Sequence, residues 1–142
     1  MDLSSVTDSR LTRALAYWRE KAAGRPMPDR RDINPAEIPD LLPWILLWDV
    51  VPSGYRVRLA GTGICDAVGR ELKGVDFEAM HGSGTAEIKP DYDYVVREGK
   101  PHYVERSMWW SHRSYRSYKR VLLPFTNGGD ACALIMGVTS FL

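Results

Sequence analysis

Large apolar residues recur at three- and four-residue intervals near the start of the chain, on one face of a predicted helix: Leu11, Leu15, Trp18 and Ala22. Asp8 or Ser9 can cap this helix, and Gly24 ends it before Pro26 and Pro28. The apolar stripe packs either on its own domain or partly on a second subunit. The pattern predicts an N-terminal helix within residues 1–25 and a separate domain over residues 26–142.

Alternation of apolar and polar residues follows the proline-rich segment 26–43. It predicts two strands, Ile45 to Val51 and Tyr55 to Ala60, joined at Pro52-Ser53-Gly54. If Ser53-Gly54 is the loop, the hairpin register pairs charge with charge and apolar with apolar. The expected opposed pairs are Asp49 with Arg58, Trp48 with Leu59, and Val50 with Val57.

A glycine-rich turn after the second strand, Gly61-Thr62-Gly63, looks like a phosphate-binding loop. Its spacing matches neither the dinucleotide pattern G-x-G-x-x-G nor the phosphate loop G-x-x-x-x-G-K-[ST]. Glu71 follows where a phosphate site would need a cation. The preceding strand also belongs to a hairpin, whereas both nucleotide motifs begin a parallel β-α-β unit. We expect the glycines to be structural and to lead into a short helix, Ile64 to Val68, ended by Gly69.

The second half of the chain predicts one longer helix and three strands. The helix lies between Gly84 and Glu98 and starts, or is broken, at Pro90. The strands are Tyr103 to Trp110, Tyr115 to Phe125 and Ala131 to Leu142, the last two joined by a turn at 127–130. The element order predicts an α+β fold: a five-stranded antiparallel sheet with helices crossing one face between the second and third strands.

Composition limits the classes of protein that fit. The chain has 142 residues, 44% of them hydrophobic, and a net charge of +1, so it suits one globular domain without an electrostatic bias toward nucleic acid or membranes. Cys65 and Cys132 lack metal or redox spacing and are expected to be buried free thiols. Without a signal peptide or a stretch long enough to span a bilayer, we expect a soluble cytoplasmic protein and no membrane association.

Three stretches resemble a family of short bacterial PAS-type domains: the Tyr-Trp pair at 17–18, "GRPMPDRRDINPAEIPDLLPWILLWDV" at 24–50, and "YRVRLAGTGICDAVGRELKG" at 55–74. The resemblance covers about half the chain closely and the rest by element order. It implies a PAS-like sheet and a role in signal transduction, as a sensor or a dimerisation module. It carries no catalytic residues over to this chain.

A ligand pocket in such a domain would be walled by eight residues: Trp48, Val57, Leu59, Ile64, Cys65, Val68, Phe77 and Tyr94. The same side chains could equally form a filled core. For PAS domains that bind haem, the resemblance implies a histidine on the long helix, but residues 84–100 contain none and only His81 and His102 flank them. For flavin it implies a cysteine in an Asn-Cys-Arg context on that helix, whereas Cys65 lies on the earlier one. The cofactor remains unidentified, and we expect a colourless protein.

The stretch from Arg106 to Arg120 combines basic and aromatic residues and contains no acid. Its charged and aromatic members are Arg106, Trp109, Trp110, Arg113, Tyr115, Arg116, Tyr118, Lys119 and Arg120. Such interleaving suits single-stranded nucleic acid, an anionic ligand or partner, or simply the solvated face of a hairpin. It can also neutralise the acidic segment 76–98. Nucleic-acid binding is the least favoured of these interpretations.

Catalytic motifs are absent from the sequence: there is no nucleophile elbow or metal-binding spacing, and the histidines are isolated. The resulting hypothesis is a non-enzymatic, stand-alone PAS-like domain that binds a small molecule or a protein partner and signals in trans. Because PAS-type domains frequently use a leading helix to associate, we expect a homodimer through the N-terminal helix. The alternatives are a small α+β enzyme and a basic-aromatic nucleic-acid-binding module. Since the chain ends within its last predicted strand, we expect no output domain.

Overall fold

The computed structural model describes residues 3–108 and 117–142. Their α-helices are α1 (Ser9–Ala22), α2 (Thr62–Val68), α3 (Phe77–His81) and α4 (Thr85–Glu98), and 3₁₀ turns lie at Leu3–Ser5, Arg30–Asp32, Pro35–Glu37, Leu42–Trp44 and Gly82–Gly84. Their strands are β1 (Ile45–Val51), β2 (Gly54–Ala60), β3 (His102–Ser107), β4 (Ser117–Phe125) and β5 (Leu134–Phe141). All pair antiparallel in the order β2-β1-β5-β4-β3. The predicted α+β fold with a five-stranded antiparallel sheet is therefore confirmed.

The two faces of the sheet bury separate hydrophobic clusters. Helices α2, α3 and α4, which connect β2 to β3, cover one face, called here the inner face. Helix α1 and residues around Ile38 and Leu41 pack on the opposite, outer face. Strand β5 lies in the middle of the sheet, and its residues 134–140 are all buried. Both faces of the sheet are thus core, and a side chain's face decides which cluster it joins.

Helix α1 packs its apolar stripe on the chain's own sheet. The Asp8 carboxylate caps it by accepting hydrogen bonds from the backbone N–H groups of Arg10 and Leu11, as predicted. Leu11 and Leu15 are buried, and the Trp18 indole N–H donates to the Pro124 carbonyl oxygen at 2.7 Å. Of the two interpretations of the stripe, packing on its own domain is the one found.

The hairpin register differs from the predicted one. Residues Pro52-Ser53 form the loop, and Gly54 begins β2 with a φ of 136°, which only glycine adopts readily. The Cα partners are therefore Asp49 with Arg56, Trp48 with Val57, and Val50 with Tyr55; a β-bulge at Arg58 then sets Leu47 opposite Leu59. The predicted Asp49–Arg58 ion pair nevertheless forms, at 2.8 Å, because Arg58 follows the inward-facing Val57 and so lies on the same side of the hairpin as Asp49.

Helix α4 continues through Pro90, so the predicted start or break at that residue is wrong. The proline is exposed, whereas the residues on the opposite side of the helix are buried on the inner face: Ile88, Tyr92 and Val95. Packing of these side chains on both sides of Pro90 keeps the helix in one piece despite the missing N–H donor.

Strand β5 begins at Leu134, later than the predicted Ala131, and Asp29 holds the loop that precedes it. Its carboxylate accepts hydrogen bonds from the Thr126 hydroxyl at 2.8 Å and the Gly128 N–H at 2.7 Å. The predicted strand ends at Trp110 and Tyr115 lie in 109–116, outside the described residues, as do Trp109, Arg113 and Arg116 of the basic-aromatic stretch.

Candidate functional site

The glycine-rich turn serves close packing. A Cβ atom at Gly61 would collide with the carbonyl oxygens of Leu42 and Pro43, and one at Gly63 would lie 2.6 Å from the Trp44 ring. The backbone at the start of α2 can therefore reach the Leu42–Trp44 turn only if both positions lack a side chain. This confirms the structural interpretation of the turn.

Seven of the eight predicted pocket residues contribute to the inner-face cluster. Trp48, Val57, Ile64 and Phe77 are buried in it, and Cys65, Val68 and Tyr94 pack against it partly buried. Leu59 does not join them. It lies beyond the Arg58 bulge, is 46% exposed and lines a groove on the outer face. Whether the seven inner residues touch a ligand stays a prediction.

Aromatic rings fill the space between α3, α4 and the sheet. We call Trp48, Tyr55, Phe77, His81 and Tyr92 the inner aromatic cluster. The Phe77 ring lies 4.8 Å from that of Tyr92 and 4.0 Å from the His81 imidazole, centroid to centroid. The Trp48 ring lies 5.2 Å from Phe77 and 5.6 Å from Tyr92. Trp48, Phe77 and Tyr92 are at most 1% exposed, so these rings form packed core.

Arg120 places a guanidinium beside this cluster. It projects from β4 toward the inner face and is 3% exposed. Its Nε donates to the Thr139 hydroxyl at 2.7 Å, its Nη1 donates to the Tyr92 hydroxyl at 3.0 Å, and the Tyr118 ring lies 4.3 Å away. All these partners are neutral. No carboxylate among the described residues lies within ion-pair distance of Arg120.

The nearest acid on α4, Asp91, is engaged elsewhere. Its carboxylate receives two hydrogen bonds from the Arg106 guanidinium, at 2.6 and 2.9 Å, and lies 3.7 Å from the His102 imidazole. This bidentate pair links α4 to β3 and fits one of the alternatives considered for the basic stretch, neutralisation of the acidic segment. The charge of Arg120 is therefore left without a direct counter-charge among the described residues.

Further hydrogen-bond donors are buried on the same face. The Trp48 indole nitrogen has no acceptor at hydrogen-bond geometry among the described residues, and the Thr85 hydroxyl also lacks a partner there. Thr85 lies two turns before Tyr92 on the buried stripe of α4. Unsatisfied buried polar groups are rare in proteins and mark places where an additional partner can bind. The indole N–H can only donate, whereas the Thr85 hydroxyl can donate or accept.

Gly137 makes room for the Arg120 stem. A Cβ at Gly137 would lie 3.3 Å from the Arg120 Cδ and 3.5 Å from Leu122. A glycine inside a strand often marks such a close approach. The sequence of β5 therefore accommodates an extended arginine in a position that would otherwise hold apolar core.

His81 is neutral in the folded protein. Its Nδ1–H donates to the Phe77 carbonyl oxygen at 2.9 Å, and burial lowers the pKa of the imidazole to about 4. The neighbouring charge of Arg120 lowers this pKa further, opposing the hydrogen bond. A neutral imidazole stacked on Trp48 adds no second positive charge to this face.

The pH dependence of folding should report this burial. Because unfolded His81 takes up a proton below about pH 6.5 and the folded form does not until about pH 4, the unfolded state binds more protons between these values. The free energy of unfolding should fall by about 3 kcal/mol as pH drops through this window. Urea unfolding at several pH values would measure it. In the His81→Gln variant, the free energy of unfolding should depend less on pH between about 4 and 6.5. An unchanged pH dependence in this variant would contradict a buried, neutral His81.

The described residues indicate neither a disulfide nor a metal site. Both thiols are free, as predicted, but only Cys132 is buried, whereas Cys65 is partly exposed. Burial raises the pKa of Cys65 and, to about 11, that of Cys132. Within residues 3–108 and 117–142, no group of three or more potential metal-ligating side chains comes together. No helix in that part of the chain combines the length and apolar character needed to cross a membrane.

Sequence reasoning missed the polar members of the inner face: Tyr55, His81, Thr85, Tyr92, Arg120 and Thr139. A signal existed for Arg120. In β4 it alternates in phase with Tyr118 and Leu122, so period-2 alternation places all three on one face. Because Arg120 was treated as part of the basic-aromatic stretch, its alternation with Tyr118 and Leu122 was overlooked.

Comparison with known proteins gives a consistent picture. A family model described as PAS domain matches residues 6–140. The fold is similar to the Rhodobacter sphaeroides LOV protein, at 17% identity and a TM-score of 0.50, over 78% of this chain and 69% of that one. It is also similar to a domain of the putative light and redox sensing histidine kinase from Haloarcula marismortui, at 13% identity and a TM-score of 0.51, over 75% and 97% of the two chains. No curated protein matches.

Proposed function

Because the chain belongs to the PAS domain family, with a matched region that spans α1 through β5, we propose that it is a sensory domain for a small organic anion. The anion binds on the inner face and the domain signals to a separate protein in trans. One observation carries this proposal: the Arg120 guanidinium is buried, and its partners among the described residues are all neutral.

Electrostatics favours an anion at this place. A buried charge is costly unless it is paired, and the hydroxyl groups of Tyr92 and Thr139 satisfy only part of the guanidinium. A carboxylate could accept from Arg120 in a bidentate, charge-assisted arrangement. It could also accept from the Trp48 indole N–H, which lies near the Tyr92 hydroxyl but has no acceptor at hydrogen-bond geometry among the described residues. The ligand class is therefore an anion with an apolar or aromatic body that suits the surrounding rings.

Binding requires the inner aromatic cluster to open. The Tyr92 hydroxyl accepts a hydrogen bond from Arg120, and its ring contacts those of Trp48 and Phe77. The Tyr92 side chain would therefore have to move to admit a ligand. Tyr92 lies in the middle of α4, and its displacement would shift that helix on the sheet. A ligand with different affinities for the two arrangements would change their populations, which is the physical basis of a signal.

Self-association through α1 remains a prediction. The side chains that suggested it, Leu11, Leu15 and Trp18, are buried against the chain's own sheet. An interface on α1 would therefore be formed by its outward residues, such as Arg13 and Arg19.

The test compares matched anions and neutral analogues. Phenylacetate, 4-hydroxybenzoate and indole-3-acetate, each beside its amide, are titrated into ¹⁵N-labelled protein while the indole N–H signals are followed. We expect carboxylates to move the Trp48 indole signal and the amides to leave it in place. A ligand at one hundred times its dissociation constant should stabilise the protein by about 2.7 kcal/mol.

Variants assign the effect to the buried charge. Arg120→Met should abolish the carboxylate response, whereas Arg70→Met, at an exposed arginine, should retain it. Arg120→Lys keeps a positive charge and replaces the methionine variant in this test if that variant fails to fold. The lysine variant should bind the carboxylates with reduced affinity. The proposal is wrong if no carboxylate moves the Trp48 signal, or if the Arg120 variants respond like the parent protein.

A further inference from the structure

The outer face carries a groove that the inner-face site does not use. It runs between the segment 30–43 and strand β2 and has two joined parts, of about 620 and 450 Å³, which share Ile33, Leu47 and Leu59 as walls. One part is lined almost entirely by apolar side chains and by prolines. The other has arginines at its edge. The groove is thus apolar at one end and basic at the other.

The Arg58 bulge builds this groove. In a regular strand the side chain two positions after Val57 would share its inner face, but the extra residue sends Leu59 to the outer face instead. Leu59 is 46% exposed, and among the described residues it and Leu142 are the large apolar side chains classed as exposed. Bulges commonly re-aim a side chain at a functional place.

Prolines make the opposite wall rigid. Pro35, Pro39 and Pro43 line the apolar part, and their fixed φ angles restrict the backbone facing Leu59. A wall that is already ordered loses little conformational entropy when a partner binds. The groove is therefore preorganised as well as apolar.

The basic end retains positive charge. Arg30, Arg31 and Arg58 line it together with one acid, Asp29. The Asp29 carboxylate accepts hydrogen bonds from Gly128 and Thr126 and lies 3.7 Å from the Arg31 guanidinium. Arg58 pairs with Asp49. No carboxylate of residues 3–108 or 117–142 lies within ion-pair distance of Arg30. A partner bound next to Arg30 would therefore be stabilised by an acidic residue at that position.

We infer that this groove docks a short amphipathic segment of a partner protein, with apolar anchors against Leu59 and Leu47 and an acidic residue beside Arg30. The inference rests on the proposed function in one respect, since a domain that signals in trans needs a partner surface. The shape favours a protein segment because small-molecule sites enclose about 70–90% of their ligand, whereas both parts of this groove are only partly enclosed. An apolar groove with a charged edge is a common peptide-docking arrangement.

The experiment uses a random dodecapeptide phage library on the full-length chain. We expect enrichment of peptides that carry an acid within a few residues of two large apolar side chains. Leu59→Asp should weaken the selected peptides at least tenfold. Arg30→Glu should reverse the charge preference, so that selection on this variant enriches basic peptides; Arg70→Glu, a matched reversal on exposed α2-flanking surface, should leave the preference unchanged.

Other occupants are separate outcomes of the test. If no peptide is enriched, if binding survives Leu59→Asp, or if both charge reversals act equally, the inference is overturned. Binding of decanoate at Leu59 without binding of peptides would also overturn the inference, because it would indicate a fatty-acid site. Loss of a concentration-dependent self-association in Leu59→Asp would overturn it as well, because it would indicate that a second copy of the chain occupies the groove. Because selected peptides should perturb the Leu47 and Leu59 methyl signals and not the Trp48 indole, failure here is distinguishable from failure of the inner-face proposal.

Discussion

Deletion of residues 1–25 is expected to abolish cooperative folding. The deletion removes Leu11, Leu15 and Trp18 from the outer-face core and exposes the sheet residues they cover, including Phe125 and Met136. Truncating one large buried side chain costs about 2–5 kcal/mol, and removing several exceeds the total stability of about 5–15 kcal/mol typical of a domain. Thermal unfolding followed by circular dichroism would measure the loss.

Two point variants of α1 keep this prediction testable if the truncated chain aggregates. Trp18→Ala should cost about 3–5 kcal/mol, because it removes a buried ring and its hydrogen bond to Pro124. Arg19→Ala, on the exposed side of the same helix, should change stability by less than about 0.5 kcal/mol. A truncated protein with a sharp unfolding transition would contradict the packing of α1 described above.

Trp48→Ala should be among the most damaging single substitutions. The indole is fully buried on the inner face and contacts the rings of Phe77, His81 and Tyr92. Its removal leaves a large cavity, and we expect a loss of about 3–5 kcal/mol in the free energy of unfolding, measured with urea.

Leu59→Ala is the matched control, because the sequence predicted Leu59 to face the same pocket. The structure puts it on the outer face, 46% exposed, so its truncation should cost less than about 1 kcal/mol. Similar losses from the two variants would mean that Leu59 is buried with Trp48 and that the bulge is misplaced.

Hydrophobic periodicity was enough to predict the element order, because helices and strands must each bury one face and their periods differ. The Asp8 cap, the end of α2 at Gly69 and the paired sheet all follow from local chemistry. The Arg58 bulge was not predictable in this way. An inserted residue leaves alternation intact on each side of itself, and only the pairing with β1 reveals it.

The inner-face site was harder to predict, because its polar members come from distant parts of the chain. Arg120 and Tyr92 are 28 residues apart and meet only when α4 lies on β4. A basic residue within a basic stretch is normally expected to be exposed to solvent. The sequence around Arg120 does not indicate that both faces of β4 are covered by other elements. The apolar members Trp48, Val57, Ile64 and Phe77 were found because burial of large apolar side chains is the default expectation.

The contact between α1 and the late strands sets an order of events during folding. The Trp18 indole N–H donates a hydrogen bond to the Pro124 carbonyl oxygen, 106 residues further along the chain. The apolar stripe of α1 packs on residues from β4 and β5. As the polypeptide leaves the ribosome, α1 emerges well before β4 and β5, which complete the surface that buries it. Contacts of such sequence separation slow folding, since a long loop must close before they form. Newly made chains therefore expose Leu11, Leu15 and Trp18 until β4 and β5 have been made, and chaperones that bind apolar helices have that interval in which to act.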